Sequence, residues 1–381
     1  MSDNSKLFEK YIFNNKIEIS SRLAVPPLTL SSSNEDGTIN DEELGYYKCR
    51  ATGIGLYILG ACAINQEGIA FPCQPRCYSE KDIKSNSERA KVIKSQGALA
   101  INQIHHGGLL AERKYSGLSP KAPTAEIANK ELAKRGELKE EDKAKEFTDS
   151  EIKKTIEDFA YATEISIKSG FDGIEIHGAN NYLIQQFYSP YYNRRIDEWG
   201  GSDDKRMNFP LKIVDACCKV REKFNRPDFI IGYRLSPEEP FEPGITMTET
   251  LKLVKALVSK PIQFIHVSQK NYFQKARRGE GAGTERLKLI HEITKGKVAL
   301  VGVGGLRTQK NFTDAVNTGF TEFIGAGVAS MINKDLGILL KENKGDKIQV
   351  ELDPDHPEKF SFPQVLWKNC IGGWLPTKGR K

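Results

Sequence analysis

The chain has 381 residues, 39% hydrophobic and 28% charged, and no run of about 18 apolar residues, which excludes a helical membrane span and fits a globular protein. The start, MSDNSKLFEKYIFNNKIEIS, has no unbroken apolar signal segment, so the expected location is the cytoplasm. Seven cysteines, an odd number without metal-ligand spacing, argue against a disulfide framework or a metal centre, and the net charge of +6 sits largely in mixed-sign stretches such as KELAKRGELKEEDKAKE, a solvated surface rather than a nucleic-acid face.

Taken in chain order, short β-branched runs alternate with amphipathic segments. RLAVPPLTL (22–30), LYILGACAI (56–64), ALAINQIHH (98–106), DGIEIHG (172–178), FIIGYRLS (229–236), FIHVS (264–268), VALVGVGG (298–305) and EFIGAG (322–327) read as buried strands. Between them, Thr148 and Glu151 form a capping box, Ile152, Ile156, Phe159, Thr163 and Ile167 trace one helix face, and Gly170 stops it. MTETLKLVKALVSK (247–260) and RTQKNFTDAVNTG (307–319) behave similarly. The charged stretch at about 126–147 reads as an insertion on the catalytic or outer face. Alternating units force parallel strands, and a count of eight favours a closed (β/α)8 TIM barrel with loop insertions over an open doubly wound sheet. The whole chain, 1–381, is expected to be one domain, its core about 8–340 with a short C-terminal extension.

In such a barrel the chemistry sits where strands pass into the following loops. There the apolar runs end in polar groups: Thr29 after the first, Gln103, His105 and His106 at the third, His177, Asn180 and Tyr182 after the fourth, Arg234 on the fifth, His266 and Ser268 at the sixth. A core has no use for so many polar groups at one mouth, because each unpaired one costs free energy. The seventh and eighth runs end in glycine clusters, GVGG (302–305) and GAGVAS (325–330). Their backbone can approach a ligand closely, and exposed N–H groups favour phosphate; Gly304, Gly305, Gly327 and Val328 are the candidate contacts. A phosphate on one side and hydrogen-bonding groups across the mouth suit flavin mononucleotide (FMN). Its pyrimidine edge would take Gln103, and Arg234 would stand near N1, stabilising the anionic reduced ring.

The stretch GFDGIEIHGANNYLIQQFYSPYYNRRIDEWGGS, with RLAVPPLTL, RATGIGLYILGACAINQEG, INQIHHGG and IGYRLSPEE in order and spacing, resembles the Old Yellow Enzyme-like flavin oxidoreductases from about Phe8 to about Leu340. The resemblance implies an FMN barrel that takes hydride from NADH or NADPH and passes it to an activated alkene, an enone for example, or to a related nitro or quinone acceptor. His177 and Asn180 match the pair that hydrogen-bonds a substrate oxygen, with His177 also against the cofactor, and Tyr182 matches the donor of a proton to the α-carbon. Thr29 matches the contact to flavin O4, while Pro27, Leu28 and Ala61 line the ring.

The expected partner is a small-molecule substrate, without nucleic acid or membrane, and a homo-oligomer is left open. Arg277 and Arg278 on a rim segment are either a seat for a nicotinamide 2′-phosphate or surface charge. Two other readings compete. One is a flavin barrel of the transfer-RNA dihydrouridine synthase type, and the other is a flavin-binding protein whose turnover has weakened.

Overall fold

The computed structural model describes residues 4–379. Eight short runs, buried along nearly their whole length, form parallel strands: β1 Leu23–Val25, β2 Leu56–Ala63, β3 Leu99–His105, β4 Gly173–Gly178, β5 Ile230–Leu235, β6 Phe264–Val267, β7 Ala299–Val303 and β8 Phe323–Gly325. They follow one another around a closed barrel, with β8 paired to β1. The (β/α)8 architecture is therefore the one expected, and each strand falls inside its expected run. The first is the shortest fit. Pro26 and Pro27 have no N–H to give a ladder, so β1 stops at Val25 and Leu28 and Thr29 lie on the loop beyond it.

The helices form for local reasons legible in the sequence. Asp149–Lys168 opens on a reciprocal cap in which the Glu151 N–H donates to Thr148 Oγ1 (3.3 Å) and the Thr148 N–H donates to Glu151 Oε2 (2.9 Å). Ile152, Phe159, Thr163 and Ile167 are buried along one face, Ile156 is half-buried, and Gly170, with φ of 80°, ends the element. Met247–Leu257 and Gln309–Asn317 fall within the two other expected spans. No helix among the described residues is long and apolar enough to cross a membrane.

Two apolar cores result. The larger lies between strands and helices. The smaller fills the barrel, with Ala24, Leu56, Ile58, Ile101, Ile230, Phe264, Val301 and Phe323, and is plugged from below by a hairpin, Tyr11–Ile12 with Glu18–Ile19. Phe13 of that hairpin stacks on Phe323 with ring centroids 5.4 Å apart. The charged stretch expected as an insertion folds as a helix, Ala125–Ala133, beside a two-stranded ribbon, Lys121–Ala122 with Lys145–Glu146. It packs through Ala128 and Ala144 into a small apolar cluster with Leu109 and Tyr192.

Candidate active site

Strand alternation decides what the upper barrel contains. Ile101 belongs to the inner core and Ile104 to the outer one, so Gln103 and His105 share the inward face of β3. By the same parity Glu175 and His177 point inward from β4, Arg234 from β5 and His266 from β6, since Ile174, Ile176, Tyr233, Ile265 and Val267 all belong to the outer core. Gln103 pairs in register with Glu175, and Arg234 with both His177 and His266. Above an apolar plug the barrel thus carries a buried polar tier.

This tier is tied from below. His266 Nδ1 lies 2.7 Å from Glu175 Oε2, and Gln103 Nε2 lies 3.4 Å from Glu175 Oε1. Burial holds the His266 pKa below the ordinary value even though Glu175 pulls it up, so a neutral imidazole donates its Nδ1 proton to the carboxylate. Neither His266 Nε2 nor Arg234 Nε has a hydrogen-bond partner among the described residues. Buried polar atoms without partners are uncommon and call for a ligand or water, and these lie one strand apart at the mouth.

His177 is set to donate. Its Nδ1 accepts the Ala179 N–H (3.3 Å), which leaves the proton on Nε2. Burial, with His105 and Arg234 close by, pushes its pKa well below the usual histidine range, so it serves as a neutral donor. Asn180 and Asn181 follow with φ of 58° and 61°, a left-handed pair of the kind asparagine tolerates. Asn181 is braced both ways by Gln185: its N–H donates to Oε1 (2.9 Å), and its Oδ1 accepts from Nε2 (2.8 Å). That turn delivers Tyr182 edge-on to His177, with ring centroids 5.0 Å apart, and burial raises its phenol pKa to about 12. The phenol therefore keeps its proton at neutral pH.

One residue of this group carried no role in the resemblance. His105 packs against Tyr182 (4.4 Å between centroids), His177 (5.2 Å) and Phe71 (5.7 Å). Gln74 donates from Nε2 to His105 Nδ1 (3.1 Å) and to the Ala61 carbonyl (3.0 Å), while its Oε1 accepts the Ala70 N–H (2.8 Å). His105 is thus a third neutral imidazole and, like His177, carries its proton on Nε2, its pKa pushed down to about 3 by burial and by His106. Its position two residues beyond Gln103 on the same strand face was the available signal.

The glycine clusters meet in a cavity of about 270 Å³ lined by Pro26, Lys270, Gly304, Gly305, Arg307, Gly327 and Val328. Gly304 has φ of 132°, and a Cβ there would come within 2.7 Å of the Asn271 backbone, so only glycine fits. Lys270 and Arg307, which the sequence reading missed, bring two cations to this pocket. Leu28, Thr29, Gly60 and Ala61 line a neighbouring cavity with Phe71 and Gln74, at a register shift between Leu59 and Cys62. A Cβ on Gly60 would lie 2.3 Å from the Leu28 carbonyl oxygen, so this glycine lets β2 close on the loop. Pro27 is half-buried beside them. On the rim, Arg278 is committed to structure: its Nη2 donates to the Glu239 and Phe241 carbonyls, 2.9 Å each, and its Nη1 pairs with Glu242.

A closed parallel barrel with a glycine-lined, cationic pocket after its last two strands and buried polar groups at its mouth is the frame expected of a flavin-nucleotide oxidoreductase. The chain belongs to the NADH:flavin oxidoreductase / NADH oxidase family, whose model matches residues 6–347. It is 37% identical over 98% of its length to the probable NADH-dependent flavin oxidoreductase YqiG of Bacillus subtilis, of which it covers 98%. It is 32% identical to the NADH:fumarate oxidoreductase of Klebsiella pneumoniae, matching over 97% of this chain but only 39% of that protein. Likewise it is 32% identical to the NADH:acrylate oxidoreductase of Vibrio harveyi, over 96% of this chain and 36% of that protein. The Old Yellow Enzyme homologue from Zymomonas mobilis shares the fold, with a TM-score of 0.76 at 23% identity over 94% of this chain and 99% of that one. The chain is an enzyme that uses FMN and a nicotinamide reductant. Its residues fit that cofactor: Lys270 and Arg307 beside the Gly304, Gly305 and Gly327 backbone suit a phosphate, and the buried Arg234 Nε has no partner among the described residues.

Proposed function

We propose that this oxidoreductase reduces electron-poor alkenes conjugated to an oxygen acceptor. The observation that carries the reading is the pairing of a neutral donor fixed on His177 Nε2 with a phenol, Tyr182, whose ring stands 5.0 Å away and keeps its proton. FMN held by the residues named below would supply the hydride that reaches the β-carbon. His177 and Asn180 hold the oxygen on which enolate charge develops, and donors fixed in advance stabilise that charge without reorganising. Tyr182 then gives its proton to the α-carbon. Gln103 and Arg234 hold the pyrimidine edge, with Thr29, Pro27, Leu28 and Ala61 along the ring. Gly304, Gly305, Gly327 and Val328 hold the phosphate by their backbone, with Lys270 and Arg307 as its cations. Enones remain the general class, and the names of two relatives, which specify fumarate and acrylate, make unsaturated acids the first compounds to assay.

The test is direct. Phenolates should bind the FMN-loaded enzyme with a long-wavelength charge-transfer band, and His177→Ala should abolish it. A band that survives unchanged places the oxygen seat elsewhere.

A further inference from the structure

Asn180 differs from His177 in one chemical respect. A neutral imidazole whose Nδ1 is occupied can only donate from Nε2, whereas a primary amide has a donor end and an acceptor end of nearly equal size. An amide turned the wrong way would meet a developing oxyanion with its own oxygen. The usefulness of Asn180 therefore depends on what fixes its orientation.

Two hydroxyls stand against it. Ser236 directly follows β5 and Ser268 directly follows β6, and the Ser268 N–H donates to the Leu235 carbonyl (2.8 Å), which locks the two strand ends together. Ser236 Oγ accepts the Asn180 backbone N–H (2.8 Å), so the hydroxyl proton of Ser236 is free, and Asn180 Oδ1 lies 3.5 Å away. Ser268 Oγ lies 2.8 Å from the same Oδ1. A hydroxyl that has accepted one N–H is a poorer acceptor for a second, so the amide oxygen is the end that suits both serines. The φ of 58° at Asn180 adds to this, because the backbone N–H bond to Ser236 is what holds the residue in that left-handed turn over the serine pair.

We propose that Ser268, supported by Ser236, is a positioning residue that fixes the polarity of the Asn180 amide, its oxygen toward the serines and its Nδ2 toward the mouth. The enzyme thereby presents two donors and selects ligands that carry an anionic or strongly accepting oxygen. The inference rests on the reading of Asn180 given above. It goes further in assigning a role to two serines that touch neither substrate nor cofactor in that reading.

The test compares two ligands of similar shape and opposite polarity on the FMN-loaded enzyme: 4-chlorophenolate, which accepts, and 4-chloroaniline, which donates. Ser268→Ala frees the amide to turn. Phenolate affinity should then fall about tenfold, in keeping with a misaligned hydrogen bond to a charged group, while aniline affinity holds or rises. Ser268→Thr, which keeps the hydroxyl, should restore the parent ratio. Loss of both ligands together in Ser268→Ala would mean a collapsed site and would overturn the proposal, as would unchanged phenolate binding. Asn180→Ala separates the two levels. If it weakens phenolate binding but Ser268→Ala does not, only the serine role is wrong. If Asn180→Ala itself has no effect, the oxygen-seat reading fails and takes the inference with it.

Discussion

The two halves of the stretch 177–199 are equally rich in aromatic and polar side chains, yet they do opposite things. In the distal half Asn193, Arg195 and Trp199 spend their donors on the fold itself. Asn193 Nδ2 gives to the Phe187 and Trp199 carbonyls, 2.7 Å each, and the buried Trp199 gives its indole N–H to Asp149 (2.8 Å). Arg195 spans from Asp197 to the Pro123 and Phe147 carbonyls (3.1 and 2.8 Å), buckling the charged insertion onto the barrel. In the proximal half His177 and Tyr182 keep donors unspent at a mouth. Polar richness alone does not mark a site; the difference lies in whether the groups have already found partners in the fold.

The sharpest way to break this comparison is at Tyr182. Tyr182→Phe should leave reduction of the flavin by nicotinamide nearly intact and slow reoxidation by an unsaturated acid or enone by roughly 10²- to 10⁴-fold, the range for losing a positioned acid. Quinones and oxygen, which need no carbon protonation, should be spared. Rapid-mixing kinetics of the two half-reactions reads this, and equal slowing for all oxidants would make the ring a packing residue.

The distal half should fail differently. Trp199→Ala removes a fully buried indole and its hydrogen bond to Asp149, so unfolding free energy should drop by about 3–5 kcal/mol, the usual range for such a truncation. The folded fraction should keep the parent's phenolate affinity. Chemical denaturation followed by ligand titration checks both statements, and a variant that stays stable but loses phenolate binding would merge the two halves into one functional unit.

How much of this was legible beforehand follows the range over which the physics acts. The eight strands could be read because a run buried on both faces must be apolar, and Gln103, His177 and Arg234 because they are polar groups at the ends of those runs; the parity that turns them to one face showed only in the barrel. Glu175 obeys the same parity two residues before His177, and escaped notice only because a carboxylate inside a barrel needs a partner, His266, that lies 91 residues away. Gln74, which fixes the His105 tautomer, is likewise set by contacts distant in sequence. Lys270 and Arg307 became visible only once β6 and β7 were adjacent. The expected phosphate contacts stood on the glycines alone, and the fold brought Lys270 and Arg307 to the same cavity.

The smallest expected effect concerns the neutral character of the proximal half. His105 and His177 both have pKa values held below the unfolded value near 6.5, His105 at about 3. A folded-state pKa that is lowered means the unfolded chain binds a proton that the folded one refuses. The stability each contributes is therefore complete above pH 6.5 and is lost as the pH falls toward the folded value. One pH unit below 6.5 each such imidazole costs about 1.4 kcal/mol. Carboxylates that the fold holds ionised, such as Glu67 at about 2, add their own loss only below about pH 4.5, so the interval from 7.0 to 5.5 belongs to the histidines. Replacing His105 by Gln keeps a hydrogen-bonding partner for Gln74 while removing the titration. The fall in unfolding free energy between pH 7.0 and 5.5 should then be shallower by about 1.3 kcal/mol than in the parent, whatever the absolute stability of the variant. Urea unfolding at the two pH values, with FMN in the same excess, measures that difference. An unchanged slope would mean that His105 takes up its proton in the folded protein, and that this corner of the mouth is open to charge in the way the distal half is.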